Sequence, residues 1–338
     1  MKGNIIFISG VKFETTPVLK YSKNEFEQNY DCQQIEYTHK QTLKFLLKGF
    51  KIILKTKRKA AIFFIGPQSL PLLFFFQIFY RNKLYYWALE SLKFRLFNSP
   101  AVVKTLFLEY LISWGKINLL IPTVERLNFY GNKKFREVFI VSNSPPSGIN
   151  FKKREISQSS KVQLVMYGRL DNQDIYLDEF IRFASAYGSY VDLHLIGWDF
   201  KYDERIKGVS NIFYHGFMDH DTLVWMLSQF QYSIIGYRPV DYNNTYCAPN
   251  KLYEAFSMSL PVIVNSKNPP LKRIIEENAC GITWDFDCLD SDLINVILKS
   301  RDQYSQFNLN CHNLYLERFN LSTELSGVKN NIAAGAGS

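Results

Sequence analysis

Paired cysteines, clustered histidines and membrane-length apolar runs are all missing from this 338-residue chain. Its five cysteines (Cys32, Cys247, Cys280, Cys288, Cys311) include no C-x-x-C pair, which argues against a disulfide framework and predicts reduced thiols in a cytosolic protein. Its five histidines show no metal-ligand spacing. The apolar stretch 70–80, LPLLFFFQIFY, falls well short of the ~20 residues a bilayer crossing needs. With Pro71 suiting a helix start, it reads as a buried helix, the alternative being shallow membrane insertion beside Arg81 and Lys83. The opening MKGNIIFISG has too short an apolar run for a signal peptide and reads as a first strand; the closing AAGAGS reads as a tail.

Acidic residues are scarce in one half only. Residues 1–150 carry 22 Lys+Arg against 9 Asp+Glu, a balance of +13, whereas 151–338 carry 18 against 22, or −4. The two halves face different partners. The length allows two domains with a core each, and 47% hydrophobic residues exclude disorder.

Basic charge concentrates in residues 38–59, where Lys40, Lys44, Lys48, Lys51 and Lys55 recur at helical spacing beside Phe45, Leu46, Leu47, Phe50, Ile52, Ile53 and Leu54. Such an amphipathic helix suits an anionic membrane surface or an acidic partner. At about 1 kcal/mol per lysine near anionic lipid, the stripe contributes at most roughly 5 kcal/mol. A solvated crossover helix is the plain alternative. No recognition motif accompanies the charge, so nucleic acid is not expected.

Strands alternate with helices along both halves, and Ser142–Lys161, rich in Ser, Pro and charge, reads as a linker. The pattern predicts two doubly wound α/β domains. Gly10 closes the first strand, where a glycine lets a ligand approach the backbone.

Residues 248–265, APNKLYEAFSMSLPVIVN, read as helix start, short helix, tight turn and buried strand. Pro249 and Asn250 are start signals, with the Asn side chain able to cap. Lys251 and Glu254, three apart, share a helical face. A cation beside free helix N–H groups is an anion site, and a carboxylate one turn in can accept from sugar hydroxyls. An ordinary surface Lys–Glu pair fits the same spacing.

PNKLYEAFSMSLPVIV resembles the donor-site motif of GT-B glycosyltransferases, particularly retaining family 4 enzymes of bacterial surface-polysaccharide biosynthesis. The resemblance implies two Rossmann-like domains facing a central cleft, and a sugar moved from a nucleotide donor to a glycan or polyprenyl-diphosphate-linked acceptor. It makes Glu254 the ribose ligand and sets Asn250 and Lys251 by the phosphates. It extends to Gly168-Arg169, whose planar guanidinium would grip the diphosphate, to the Ile-Gly turn at Gly197, and to His215-Gly216-Phe217, where relatives pass the nucleobase along the backbone. His215 itself reads as a packed strand-end residue. In the first half it makes Gly10, Thr15 and Thr16 cleft residues and Glu90 a contact for donor sugar or acceptor.

The chain departs from the family pattern at three places. A lysine usual some six residues after the Arg is Ile175, a second glutamate is Cys247, and the turn glycine before Pro-Val is Ser259. Asn244, Thr245 and Tyr246 would then supply hydrogen bonds to phosphate or sugar. Asp285-Phe286-Asp287 has the metal-binding spelling of the other glycosyltransferase fold but follows the last strand, so it reads as a loop feature.

These readings imply a retaining, metal-independent glycosyltransferase of hexosyl type, without a cofactor beyond its UDP- or GDP-type donor, working at the inner face of the membrane in the cytoplasm. Arg169, Lys251 and Glu90 are its candidate catalytic residues. The domains would be 1–150 for acceptor and membrane, 151–310 for the nucleotide sugar, a crossing-back helix at 311–330 and a tail at 331–338. A GT-B-fold sugar-nucleotide epimerase and a non-catalytic nucleotide- or partner-binding relative are the alternatives.

Overall fold

The computed structural model describes residues 2–14, 16–37, 42–55, 60–79, 83–89, 110, 117–130, 134–145, 161–170, 173–200 and 206–334. The chain forms two units, Met1–Pro146 with Asn320–Ser338, and Ser147–Phe319.

In the first unit β1 (Gly3–Ser9), α1 (Pro17–Glu27), β2 (Tyr30–Glu36), α2 (Thr42–Lys55), β3 (Ala61–Ile65), α3 (Leu70–Phe79), β4 (Leu84–Trp87), β5 (Asn118–Ile121) and β6 (Val138–Ile140) follow in order. The sheet runs β2-β1-β3-β4-β5-β6, all parallel. Runs such as AIFFI are buried throughout, as strands covered on both faces require. Ile5 and Phe7 of β1 pack with Val18, Leu19 and Phe26 of α1. Ile8, on the opposite face, lies beneath Gly49 of α2. Residues 94–114, whose sequence predicts a helix, lie outside the described residues, apart from Tyr110.

The second unit holds β7 (Val162–Arg169), α4 (Leu177–Ala186), β8 (Val191–Trp198), β9 (Ile212–Tyr214), α5 (His220–Leu227), β10 (Tyr232–Ile235), α6 (Tyr242–Thr245), α7 (Asn250–Ser257), β11 (Val262–Asn265), α8 (Pro269–Asn278), β12 (Gly281–Trp284), α9 (Ser291–Lys299) and α10 (Tyr304–Glu317). Its parallel sheet runs β12-β11-β10-β7-β8-β9. The chain winds outward from β7 through β8 and β9, then returns to β7's other side with β10. That reversal is the topological switch point of a dinucleotide-binding fold, and ligands bind beyond the carboxyl ends of the strands there. Leu164 and Met166 enter one core with Phe180 and Ile297; Val165 and Tyr167 enter the other with Leu252, Phe256 and Cys311.

Two boundaries differ from the sequence reading. Ser142 was assigned to the linker, yet its backbone N–H donates to Glu324 Oε2 at 3.0 Å, so the first unit's packing extends past β6. Residues 311–330 form no single helix. The chain breaks after α10, Asn320 caps the next helix by accepting from the Thr323 N–H at 2.9 Å, and α11 (Leu321–Ala334) follows. α10 buries Cys311 and Tyr315 in the second unit's core, while α11 buries Leu321, Leu325, Val328 and Ile332 in the first unit's. Helix also continues to Ala334, into the stretch read as tail.

Candidate functional site

At the second unit's switch point β7 ends in Tyr167-Gly168-Arg169, β10 leads into Gly236-Tyr237, and α7 starts behind them. The side chain of Lys251, in the first turn of α7, reaches over Gly168. A β-carbon on Gly168 would sit 2.7 Å from Lys251 Cε and 3.0 Å from Nζ, and its φ of +95° already disfavours a side chain. Gly197, paired with Gly168 across β7 and β8, has φ +152°, and a β-carbon there would fall 1.7 Å from the Gly168 carbonyl oxygen. These glycines let two strand ends and a lysine meet without side chains between them.

The lysine environment is unusual. Its ammonium lies 5.8 Å from the ring centre of Tyr167 and 5.3 Å from that of Tyr237, within cation–π range. Among the described residues it forms no ion pair. Burial lowers its pKa to about 8, against the opposing pull of nearby Glu254 and Cys247. The Tyr167 hydroxyl donates to the Lys251 carbonyl at 2.8 Å, fixing the first turn of α7. Burial, with Glu254 beside it, holds that phenol well above its ordinary pKa, and burial pushes Tyr237 up as well. Both tyrosines therefore stay neutral, and among the described residues Lys251 is the cation over Gly168. An anion arriving there restores the charged state that burial disfavours.

The start of α7 departs from expectation. Pro249, not Asn250, holds the cap position, and no side chain caps the helix; Asn250 is its first residue. First-turn N–H groups without a capping side chain add a partial positive charge. Glu254 lies one turn further in, half-buried, near Lys251, Tyr167 and Tyr237.

Arg169 is at the same strand end but exposed, its Nε donating to Asp199 Oδ2 at 2.8 Å. Asp199 holds a left-handed φ of +62° just beyond β8. Next to it Trp198, the register partner of Arg169, meets Phe217 edge-on with ring centres 6.2 Å apart, both rings exposed. The Gly197 N–H donates to the Gly216 carbonyl at 2.8 Å, which ties the Phe217 turn to this edge.

Other candidates make local contacts. Asp241 caps α6 by accepting from the Asn244 N–H at 2.7 Å, and the Thr245 hydroxyl donates to the Asp241 carbonyl at 2.7 Å. The Asn244 carbonyl accepts from Asn268, and Tyr246 stacks on Tyr242 at 5.2 Å. Ile175 is core, bridged antiparallel to Tyr237. Cys247 is buried beside Tyr237 and Lys251.

His215 joins a packed network, with its Nε2 2.9 Å from His194 Nδ1 and His194 Nε2 2.7 Å from Gln163 Oε1. Gln163 Nε2 donates to Asp192, so Oε1 accepts and both imidazoles are neutral Nε2–H tautomers. Burial lowers both pKa values, that of His194 to about 4. Asp285 and Asp287 both grip Lys267, and Tyr176 donates to Asp287 at 2.9 Å, so this pair serves its own loop.

Gly10 belongs to the first unit, at the carboxyl end of β1; its N–H donates to the Ile65 carbonyl at 2.7 Å. A β-carbon there would lie 2.1 Å from Gln68 Oε1, a buried atom without a hydrogen-bond partner among the described residues. Thr16 stands at the cap position of α1 without a side-chain bond. Thr15 and Glu90 lie outside the described residues. Sequence reasoning missed Tyr167, Tyr237, Trp198, Asp199 and Gln68. A glycine within two residues (Gly66, Gly168, Gly197 or Gly236) was the available signal.

No known family profile and no curated protein sequence matches the chain. Solved structures do. HepE from Anabaena, in complex with UDP, superposes with a TM-score of 0.69 at 12% identity, covering 99% of this chain and 100% of that one. The lipopolysaccharide outer core galactosyltransferase WaaB superposes with a TM-score of 0.68 at 13% identity, covering 98% and 99%. TarM gives 0.61 at 15% identity over 86% of this chain, which spans 58% of TarM's length. The chain has the GT-B fold. Within that fold the Gly168–Lys251–Glu254 cluster lies in the second of the two units, at the switch point of its sheet.

Proposed function

We propose that this chain is a glycosyltransferase that moves a hexose from a nucleotide sugar, of UDP or GDP type, to a glycan or polyprenyl-diphosphate-linked acceptor in polysaccharide assembly. One observation carries the reading: an ammonium that forms no ion pair among the described residues, set over a bare glycine backbone, beside a helix start without a side-chain cap and one turn before a carboxylate. A diphosphate is the anion of the right chemistry, and Glu254 is the acceptor for ribose hydroxyls. HepE, which shares the fold, holds UDP in one structure and UDP-glucose in another.

In the proposed reaction the bond from the anomeric carbon to the diphosphate oxygen breaks, and the electron pair leaves on that oxygen. Lys251 and the α7 N-terminus stabilise the developing charge, with Arg169 joining once released from Asp199. The acceptor hydroxyl oxygen forms the new bond to the anomeric carbon, and its proton passes to the departing diphosphate oxygen. Retention of configuration and work at the cytoplasmic face of the membrane belong to the same proposal.

Titration calorimetry with UDP and GDP, followed by nucleotide release from a donor panel with and without acceptor, tests it. Acceptor-dependent release of nucleotide supports transfer. Isomerised donor would mean an epimerase, and binding without turnover a non-catalytic relative. No nucleotide binding at all sinks the reading.

A further inference from the structure

In the first unit α2 presents two exposed stripes. Lys44, Lys48, Lys51 and Lys55 form one, all exposed and none paired with a carboxylate among the described residues. Leu43, Leu47 and Leu54 form the other, 70%, 53% and 58% exposed. The stripes are one residue apart, about 100° around the helix, so the leucines lie beside the lysines instead of facing the core. That face belongs to Phe45, Gly49 and Ile53, with Gly49 closely packed against Leu72 of α3.

On the leucine side Phe50 meets Phe75 and Phe76 of α3, with ring centres 5.2 and 5.4 Å away. α3 adds exposed Phe75 (41%) and Ile78 (56%). Across this surface the sequence is therefore a lysine row, a leucine row, then the aromatic and aliphatic side chains of α3. Neither helix contains an acidic residue.

We propose that this two-helix face docks on an anionic lipid surface, with Leu43, Leu47, Leu54, Phe75 and Ile78 inserted below the headgroups and the lysines at phosphate level. Charge complementarity selects the occupant. Nucleic acid would use the lysines and leave a contiguous apolar row facing water, whereas a bilayer interface satisfies both rows at once. No described helix is long and apolar enough to cross a membrane, so the contact is interfacial. The surface is independent of the nucleotide reading, which rests on the other unit.

The test is vesicle co-sedimentation of the full chain, using phosphatidylcholine alone and mixed with phosphatidylglycerol. The parent protein sediments with the mixed vesicles only. Lys44→Glu, Lys48→Glu and Lys51→Glu combined weaken binding on the order of a hundredfold or more at low salt. Leu43→Ser, Leu47→Ser and Leu54→Ser combined weaken it at least tenfold at salt concentrations that screen charge. Both sets alter exposed side chains, and unchanged UDP binding by the variants verifies folding; if the parent binds no UDP, an unchanged melting temperature serves instead. A tryptophan at Leu47→Trp shifts its emission to the blue on mixed vesicles. Serine variants that bind like the parent would make the surface purely electrostatic and overturn insertion. Equal binding to neutral vesicles, no vesicle binding, or preferential capture by duplex DNA or RNA would overturn the lipid assignment.

Discussion

The two units end their sheets in the same way and then diverge. In the first, Gly10 and Gly66 stand at the carboxyl ends of adjacent strands β1 and β3, and the side chain over Gly10 is the neutral amide of Gln68. In the second, Gly168 and Gly197 end adjacent strands β7 and β8, and the side chain over Gly168 is the ammonium of Lys251. Parallel winding supplies a bare backbone edge in both cases, and one side chain decides what that edge attracts. A buried amide oxygen with no partner among the described residues suits a hydroxyl; a partly desolvated ammonium suits an anion.

The comparison breaks most completely if the second edge loses its bare backbone. Gly197→Ala sets a methyl 1.7 Å from the Gly168 carbonyl oxygen and strains a positive φ, so β7 and β8 must part. Overpacking and backbone strain together cost about 3 kcal/mol or more. Chemical denaturation should show a loss of that order, with UDP binding abolished. An unchanged midpoint would mean that the strand ends are not held as described.

Lys251→Met removes the charge and keeps the bulk. UDP affinity should fall about a hundredfold, the cost of a charge-assisted contact. Stability should move the other way. The folded pKa of about 8 lies below that of an ordinary lysine, so the folded state binds fewer protons between about pH 8 and the unfolded value. Stability is therefore diminished below about pH 8 and recovered above it. Removing the ammonium should gain roughly 2 kcal/mol at neutral pH. For the parent, UDP affinity should decline as pH rises through about 8. A variant that loses affinity and stability together would make Lys251 a structural residue.

The fold was legible where local pattern decides it. The β-branched run of β11 and the Pro-Asn start of α7 identify themselves, because burial on both faces and helix initiation are written in adjacent residues. The candidate site was legible only as far as its backbone and charges. Nothing beside Tyr167 or Tyr237 in the sequence says that a lysine from a later helix lies near both rings. Ser142 read as linker because its partner, Glu324, is a far-off residue on the last helix. Around Asn244 and Thr245, Asp241 already signals a local cap that takes the Asn244 backbone N–H and the Thr245 hydroxyl.

Gln68→Leu sharpens the contrast from the first unit. UDP affinity should be unchanged, since the residue belongs to the other sheet. If the Gln68 amide receives an acceptor hydroxyl, the acceptor KM should rise about tenfold, the value of one neutral hydrogen bond. A fall in UDP affinity would mean that the two edges do not divide their work.

The smallest effect tests where strain is kept. Among the described residues, non-glycine side chains at positive φ occur only in the second unit, at Asp199, Ser259 and Ala279. Ser259 ends α7. The Leu260 N–H donates to the Ala255 carbonyl at 2.8 Å and the Ser259 N–H to the Phe256 carbonyl at 2.9 Å, a helix end that favours glycine at position 259. Serine at φ +54° costs about 1 kcal/mol there. Ser259→Gly relieves that cost and gives back part of it through a freer unfolded chain. It also loses an exposed 3.2 Å contact between the hydroxyl and His312 Nδ1, while the carbonyl still accepts from Asn308. The net gain should be about 0.5 kcal/mol, read as a rise of a degree or two in melting temperature. UDP affinity decides what the strain is for. If it holds, the serine is a tolerated departure; if it drops while stability rises, the strained turn is what sets Lys251 over Gly168.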